Sequence, residues 1–309
     1  MNILLTAINA KYIHSNLAVY SLRACAGEYR DAVELAEYTI NNQKDYILEE
    51  LYKRKPDVLC FSCYIWNIDY VTDIAREYKK LCPSVPIWVG GPEVSYEVEA
   101  FLRENPYIDG VMIGEGEDTF RELCGYYAHK RKLSDIAGIA FRKNSTGNST
   151  SVNNIGGNKA GEIVFTSPRP IKNMSEIPFC YDTLDDFSNR IIYYESSRGC
   201  PFSCSYCLSS VDKTLRFRDT EIVKRELKFF IDQKVPQIKF VDRTFNCNHA
   251  HAMELWRFIK ANDNGVTNFH FEISADLLNQ EELELISDMR PGLIPVSYTH
   301  LRAHETGAY

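Results

Sequence analysis

Residues Ser196 to Ser210 read SSRGCPFSCSYCLSS, and this stretch decides how the second half of the chain is interpreted. Cys200, Cys204 and Cys207 form a CxxxCxxC triplet, with Tyr206 directly before the last cysteine. Three thiolates on one tight loop can hold three irons of a cubane cluster, which leaves the fourth iron open to a small molecule. The spacing therefore predicts a 4Fe-4S cluster with one reactive iron.

Two other cysteine sites compete with this interpretation. A structural zinc site normally has four protein ligands, often in two CxxC-like pairs, and no second pair follows at a suitable spacing. A cluster used only for electron transfer needs a fourth cysteine, and Cys247 lies far downstream, past the next predicted strand. The open cluster is favoured over both.

The sequence around the triplet predicts successive strand-helix units. An apolar strand delivers the cysteine loop, and three helices alternate with two further strands, as in part of a parallel barrel with its chemistry at the carboxyl ends of the strands. Thr220 and Asn279 are predicted helix caps. The predicted strands are Ile191–Ser197, Gln237–Asp242 and Asn268–Ser274, and the helices are Thr220–Gln233, Asn248–Asn262 and Gln280–Met289.

The first half of the chain alternates short apolar runs with helical patterns, which predicts a doubly wound parallel sheet, Rossmann-like, over residues 1–142. The ligand of such a sheet lies at the carboxyl ends of its strands. The predicted strands are Ile3–Ile8, Ala32–Tyr38, Val58–Cys63, Ile87–Gly90 and Gly110–Ile113, and the helices include Asn16–Gly27, Lys44–Lys53, Ile68–Leu81 and Glu117–His129.

The loops after these strands carry small, polar and aromatic residues. Paired glycines allow close approach of backbone to a bulky polar ligand, although for either pair alone a tight turn is the favoured interpretation. The candidate ligand-binding residues are Tyr12, His14, Ser62, Tyr64, Gly90, Gly91, Gly114, Glu115 and Gly116.

Composition narrows the function classes. The chain has 309 residues, of which 45% are hydrophobic and 25% charged, as expected for an ordinary two-domain protein. A net charge of -7 argues against a nucleic-acid-binding surface, and no apolar run of about 18 residues indicates a membrane span. Ten cysteines without a secretion signal predict reduced thiols and metal ligands in the cytoplasm.

The cysteine motif resembles the signature of radical S-adenosylmethionine (SAM) enzymes. The resemblance implies that the open iron chelates the amino and carboxylate groups of SAM, and that one electron cleaves the sulfonium to a 5'-deoxyadenosyl radical. It also implies SAM or substrate contacts at the strand ends, which makes Tyr206, Asp242, Arg243, Glu272 and Ser274 candidate ligands. Alternatively, Asp242 and Arg243 form an ion pair at the barrel rim and Glu272 points outward.

The segments Gly90-Gly91-Pro92 and Gly114-Glu115-Gly116-Glu117 resemble the cobalamin-binding domain that precedes the radical module in one branch of this superfamily. The Asp-x-His-x-x-Gly box that supplies a cobalt ligand is absent. His14 is the only histidine near a strand end in this half, and a hydrogen-bonding surface role is favoured over axial ligation of cobalt.

Together the resemblances imply a radical SAM enzyme that uses a 4Fe-4S cluster, SAM and cobalamin. Methyl transfer to an unactivated carbon of a small-molecule substrate is the expected reaction, with an electron donor such as flavodoxin or ferredoxin. No catalytic residue is assigned beyond the cluster ligands. The alternative is a sensor that binds cluster and cobalamin without turnover.

The segment 143–186 is predicted as a flexible loop and linker, and residues 187–294 as the first half of a (β/α)6 radical SAM barrel. Residues 295–309 resemble a peptide expected from translated adaptor sequence. They predict a non-native tail on an incomplete fragment, in which His300 and His304 have no function.

Overall fold

The computed structural model describes residues 1–143, 161–187, 189–205, 207–211, 213–294 and 296–298. The chain divides into two compact units. The first comprises Met1–Lys172 with Pro178–Leu184, and the second comprises Asn173–Ile177 with Asp185–Tyr309. Within the described residues, no helix has the length and apolar character needed to cross a membrane.

The first unit is built on a sheet with the strand order β2-β1-β3-β4-β5-β6-β7. The first five strands are parallel, whereas β6 and β7 join the edge antiparallel. The strands are β1 Ile3–Asn9, β2 Val33–Thr39, β3 Val58–Ser62, β4 Ile87–Gly90, β5 Gly110–Met112, β6 Ile139–Arg142 and β7 Ile163–Phe165.

Helices cover both faces of this sheet. Helix α1 packs against α5, and α2 packs against α3. This is expected because the right-handed crossover from β1 to β2 runs in one direction along the sheet, and the crossovers from β2 to β5 run in the other. In α3 the buried residues Val71, Ile74, Ala75 and Tyr78 recur at helical spacing and form a single core-facing stripe. The helices are α1 Leu17–Cys25, α2 Lys44–Arg54, α3 Ile68–Leu81, α4 Val98–Glu104 and α5 Glu117–Tyr127.

The predicted doubly wound fold is confirmed, and each strand and helix predicted for the first unit ends within two residues of its observed position. Helix α4 and strand β7 were not predicted. Strand β7 lies in the segment 143–186, which was expected to be loop and linker, and its apolar residues extend the sheet by pairing with β6. The predicted loop at residues 144–160 lies outside the described residues.

The second unit contains a parallel four-stranded sheet, in the order β13-β12-β11-β8, and a separate antiparallel pair, β9 and β10. This arrangement confirms the strand-helix order expected for the first part of a barrel. Its strands are β8 Ile192–Tyr194, β9 Ser197–Arg198, β10 Arg216–Phe217, β11 Gln237–Phe240, β12 Asn268–Ile273 and β13 Val296–Tyr298, and its helices are α6 Thr220–Asp232, α7 His249–Ala261 and α8 Gln280–Ser287.

Three details of the second unit differ from or extend the predictions. The single strand predicted over Ile191–Ser197 is split into β8 and β9. Helix α6 is capped by the Asp219 carboxylate rather than by Thr220, and α8 has the predicted Asn279 cap, completed by Glu282. Strand β13 lies within the tail predicted to be non-native, and His300 and His304 lie outside the described residues.

Candidate functional site

The three cysteines of the triplet lie on the loop between β9 and β10. Cys200 is buried, and Cys204 and Cys207 are half-buried. The Cys207 amide donates to the Cys204 carbonyl at 3.1 Å, which closes a turn between them. Gly199, which precedes the triplet, has φ of +93°, and a Cβ there would lie 2.5 Å from the Thr214 carbonyl oxygen. Only glycine fits this entry to the loop.

The donor set fits an iron-sulfur cluster, because three thiols from one short loop match the usual cysteine ligation. Among the residues that the structure describes, no group of three or more histidine, cysteine, aspartate or glutamate side chains is positioned to hold a metal ion. Tyr206 lies outside the described residues, and its role stays a prediction.

A buried carboxylate anchors the residues that lead into this loop. Asp242 follows β11 and is 1% exposed. It accepts hydrogen bonds from the Ser196 amide at 3.0 Å, the Ser196 hydroxyl at 2.6 Å and the Ser197 hydroxyl at 2.7 Å. The Ser196 hydroxyl also lies 3.1 Å from His251 Nε2. These bonds turn the backbone between β8 and β9, which explains why the predicted strand is interrupted.

Burial shifts the protonation of both ends of this network. It raises the pKa of Asp242 to about 6, although the hydrogen bonds from Ser196 and Ser197 oppose the shift. Burial also lowers the pKa of His251 to about 4, so that the imidazole is neutral at pH 7. Asp242 was a candidate SAM ligand, but its oxygens are engaged inside the protein. Its observed contacts position the entry to the cysteine loop.

The ion pair considered between Asp242 and Arg243 does not form. Arg243 Nη1 instead lies 3.0 Å from Glu272 Oε2, and Lys239 Nζ lies 3.4 Å from Glu272 Oε1. The Glu272 side chain is 12% exposed, so the outward orientation considered for it is wrong. Arg243 and Glu272 thus form one cluster of charges, separate from the bonds of Asp242.

Ser274, another candidate ligand, is 2% exposed and is held by Asn246. The Asn246 side chain accepts from the Ser274 amide and donates to its carbonyl, both at 2.9 Å. The Ser274 hydroxyl donates to Asp276. Asn246 thus ties the loop that follows β11 to the end of β12, and its place in a loop after a predicted strand was the only sequence signal for this role.

Cys247 follows Asn246, and its thiol lies close enough to Cys200 for the charge of Cys200 to affect its pKa. Burial is the main cause that raises its pKa to about 11, and the charges of Cys200 and Asp242 add to it. The separation in sequence concealed this proximity, because the parallel pairing of β8 with β11 brings their carboxyl ends to one edge.

In the first unit, the predicted loops also lie along one edge of the sheet, since β1, β3, β4 and β5 are successive parallel neighbours. The order reverses between β1 and β3, which is where such sheets bind ligands. Asn67 is fully buried there, and its side-chain amide donates to the Ile8 carbonyl at 2.9 Å and the Ser62 carbonyl at 3.0 Å. Its Oδ1 accepts from the Tyr64 amide at 2.7 Å.

Two glycines with positive φ lie at this edge, one packed closely against backbone and one facing open space. Gly91 has φ of +119°, and a Cβ there would lie 2.4 Å from the Cys63 carbonyl oxygen. Gly114 has φ of +74° with no atom within 4 Å of such a Cβ, so its surroundings are open. The Gly114 amide donates to the Ser95 hydroxyl at 3.3 Å, and this hydroxyl donates to the Gly91 carbonyl at 2.8 Å. The two glycine loops are therefore joined.

The remaining predicted residues lie along the same edge. The backbone carbonyl of His14 accepts from Asn9 at 3.0 Å, and the Ser62 hydroxyl accepts from Asn16 at 3.2 Å. The Glu115 carboxylate accepts from the Lys172 amide at 3.2 Å. Gly90 ends β4, and Gly116 packs against α1, where a Cβ would lie 2.9 Å from Leu22.

Glu37 organises the first loop, and sequence reasoning missed it because it lies on the edge strand β2. One carboxylate oxygen accepts from Asn9 Nδ2 and from the Asn16 amide, each at 2.9 Å. The other accepts from the Tyr20 hydroxyl at 2.5 Å. These bonds fix both ends of the loop that contains His14.

Large apolar side chains are exposed at this edge. Tyr12 and Ile13 on the first loop are 68% and 45% exposed, and Ile65 and Trp66 on the third are 78% and 44% exposed. The Trp66 ring stacks on Tyr64 with a centroid distance of 4.4 Å. Open glycine backbone beside apolar and aromatic surface fits a large cofactor with polar and apolar parts, as cobalamin is.

Comparison with known proteins identifies both units. The family model described as "B12 binding domain" matches residues 3–124, and the model described as "Radical SAM superfamily" matches residues 194–302. The chain thus combines a B12-binding domain with a radical SAM domain. It belongs to the radical SAM proteins that carry a cobalamin-binding domain, which confirms the family predicted from the cysteine and glycine motifs.

Two curated relatives are methyltransferases by name. An uncharacterized methyltransferase of Pyrococcus horikoshii is 31% identical over 67% of this chain and 44% of its own length. The cobalamin-dependent radical SAM methyltransferase TokK of Streptomyces tokunonensis is 29% identical over 74% of this chain and 33% of its own length. The chain therefore spans less than half the length of either relative.

A solved structure shares the fold. The radical SAM methyltransferase TsrM from Kitasatospora setae, with tryptophan substrate and a SAM analogue bound, superposes with a TM-score of 0.68 at 18% identity. The match covers 98% of this chain and 60% of that one. The comparison supports the architecture of the two domains.

Proposed function

We propose that the protein is a cobalamin-dependent radical SAM methyltransferase that methylates an unactivated carbon of a small molecule. The observation that carries the proposal is the combination in one chain of two sites. One is a CxxxCxxC loop at the carboxyl end of a parallel strand, and the other is a glycine-lined switch point in a doubly wound sheet. Two curated relatives named as methyltransferases support the reaction type.

The cysteine loop would hold the cluster through Cys200, Cys204 and Cys207. When bound, the cluster and SAM supply a radical that removes a hydrogen atom from carbon, and cobalamin supplies the methyl group. The contribution of the chain is to position these groups. Asp242 fixes the residues that enter the loop, and Gly199 sets the direction of the backbone there.

The carboxyl edge of the first sheet would hold cobalamin. Gly114 leaves open space at this edge and Gly91 lets its loop pack closely on Cys63, while Glu37 and Asn67 fix the neighbouring loops before the cofactor arrives. Apolar surface at Tyr12, Ile65 and Trp66 would exclude water from the bound corrin ring. The contribution of His14 as an axial ligand is not required for this binding mode.

The cluster needs one electron for each SAM that it cleaves, and flavodoxin or ferredoxin would donate it. A reducing compartment such as the cytoplasm suits the ten free cysteines. The thiols of the loop are then available for cluster assembly.

The test is anaerobic reconstitution of the full-length protein with iron, sulfide and cobalamin, followed by reaction with SAM and a strong reductant. We expect 5'-deoxyadenosine and S-adenosylhomocysteine as products. Cys204→Ala should lose cluster absorption and both products while it still binds cobalamin. Cys82→Ala is the matched control, because this half-buried cysteine lies in the first unit and away from the loop.

A wild-type protein that binds cluster and cobalamin but forms no 5'-deoxyadenosine would refute the enzyme proposal. That result would favour the sensor instead. Cluster formation that persists in Cys204→Ala would contradict the assignment of the loop.

A further inference from the structure

The chain that returns from the cysteine loop reaches Arg218 directly after β10. The Arg218 amide donates to the Ser196 carbonyl at 2.8 Å. Ser196 is also the residue whose amide and hydroxyl are bonded to Asp242 on the entry side of the loop. The entry and the return of the cysteine loop therefore meet at Ser196.

The Arg218 side chain is buried in an ion pair with Glu226 of α6. The two side chains are 7% and 4% exposed, and Arg218 Nη2 donates to Glu226 Oε1 at 2.7 Å. The other carboxylate oxygen accepts from the hydroxyl of Tyr194, at the end of β8, at 2.6 Å. Burial, followed by the charge of Glu226, raises the pKa of Tyr194, so the phenol stays protonated and donates. The ion pair thus ties the end of β10 to both α6 and β8.

The same guanidinium holds a third part of the second unit. Arg218 Nη1 donates to the Met174 carbonyl at 3.2 Å, and the following amide, that of Asp219, donates to the Ser175 hydroxyl at 2.9 Å. Met174 and Ser175 belong to the segment Asn173–Ile177. Arg218 Nε, in contrast, is buried without a hydrogen-bond partner among the described residues.

This network is not the arrangement that makes a core most stable. Removing two charges from water costs free energy, and a buried N–H without a partner adds to that cost. Well-packed apolar side chains of similar size often replace a buried ion pair without loss of stability. Apolar contacts do not, however, supply the direction of the planar guanidinium, which donates along fixed lines to several acceptors at once.

We propose that Arg218, held by Glu226, is a positioning residue for the iron-sulfur cluster. It fixes the return of the cysteine loop, so that Cys200, Cys204 and Cys207 can bind the cluster together. The inference rests on the proposed function only in that the loop binds a cluster. It does not depend on the reaction that follows.

The test combines two measurements. One is the rate of iron release from the anaerobically reconstituted chain to an excess of a ferrous-iron chelator, and the other is urea unfolding of the second unit in the cluster-free chain. In the double variant Arg218→Met with Glu226→Leu, the midpoint of urea unfolding should equal that of the wild type or rise. Iron release should nevertheless become about tenfold faster or more, because charge-assisted hydrogen bonds no longer hold the loop. A contribution to folding alone would instead lower the midpoint.

A second variant, Arg218→Lys, keeps the charge, so Glu226 is not left unpaired and the test does not depend on folding of the double variant. A lysine does not reproduce the fork that bonds both Glu226 and the Met174 carbonyl. Its iron release should be about threefold faster or more, and the electron paramagnetic resonance spectrum of its reduced cluster should show a mixture of species. The double variant Lys228→Met with Asp232→Leu is the matched control; it removes an exposed ion pair from the same helix and should release iron at the wild-type rate.

Iron release at the wild-type rate in Arg218→Lys or in the folded double variant would overturn the inference, and so would an equal acceleration in the control. These measurements use neither cobalamin nor SAM. A protein that cleaves SAM but releases iron equally in all variants keeps the proposed function and loses this positioning role. A protein that needs Arg218 to retain its cluster but never cleaves SAM keeps the positioning role and loses the reaction.

Discussion

Asp242 and His251 lie at two ends of one buried network, and their effects on stability should oppose each other between about pH 4 and 6.5. Burial raises the pKa of Asp242 from 3.8 to about 6, so its contribution to stability is present below pH 4 and is lost as the pH rises through 6. Burial lowers the pKa of His251 from 6.5 to about 4, so its contribution is present above pH 6.5 and is lost as the pH falls through 4.

At about 1.4 kcal/mol per pKa unit, each shift corresponds to about 3 kcal/mol across this window. In the wild type, the two contributions nearly cancel. Asp242→Asn removes the acid and leaves the histidine alone. The free energy of unfolding of the variant minus that of the wild type should therefore rise by about 3 kcal/mol between pH 4 and pH 7.

The measurement is urea unfolding of the metal-free chain at several pH values, with hydrogen exchange of α7 peptides as the probe of the second unit. His251→Gln should show the opposite slope. Asp232→Asn, on the exposed face of α6, is the matched control and should follow the wild type. A difference between wild type and Asp242→Asn that does not change with pH would refute the reasoning, because it would mean that the pKa of Asp242 is the same in the folded and the unfolded state.

Three further changes test other parts of the fold. Gly91→Ala should lower the free energy of unfolding of the first unit by more than about 2 kcal/mol, because the alanine would strain the backbone and clash with the Cys63 carbonyl. An unchanged midpoint of urea unfolding would contradict this. Glu37→Gln removes the charged acceptor of the Tyr20 hydroxyl and should weaken cobalamin binding about fivefold or more, by loss of a charge-assisted hydrogen bond. Visible absorption titration measures it, and an equal affinity would show that the loop does not depend on Glu37. Asn279→Ala removes the cap of α8 and should lower the free energy of unfolding by about 1 kcal/mol. Hydrogen exchange should then become faster in α8 but not in α6.

Sequence patterns predicted a strand or helix best where one segment contains the whole pattern. The buried strands β1 and β3 read as apolar runs between helical patterns, and α3 shows its core stripe directly in the residue spacing. Strand β7 was missed because three residues give too short a pattern, and its identity depends on pairing with β6.

The candidate site likewise has one part that a local sequence pattern reveals and one part that depends on how the strands pair. The cysteine triplet is local and was found from its spacing. The roles of Asp242 and Cys247 depend on the parallel pairing of β8 with β11, which no local pattern encodes. The proximity of Glu37 to the first loop likewise depends on the position of β2 beside β1, and so it could be recognised only in the folded chain.

The antiparallel pair of β9 and β10 has a consequence for how metal enters the protein. Arg198 pairs with Arg216, and Gly199 lies against Thr214, so both ends of the cysteine loop are joined by backbone contacts that need no iron. The entropy of closing this loop is therefore lost during folding of the polypeptide rather than during cluster assembly. Assembly of a cluster on this loop can then follow folding of the chain around it.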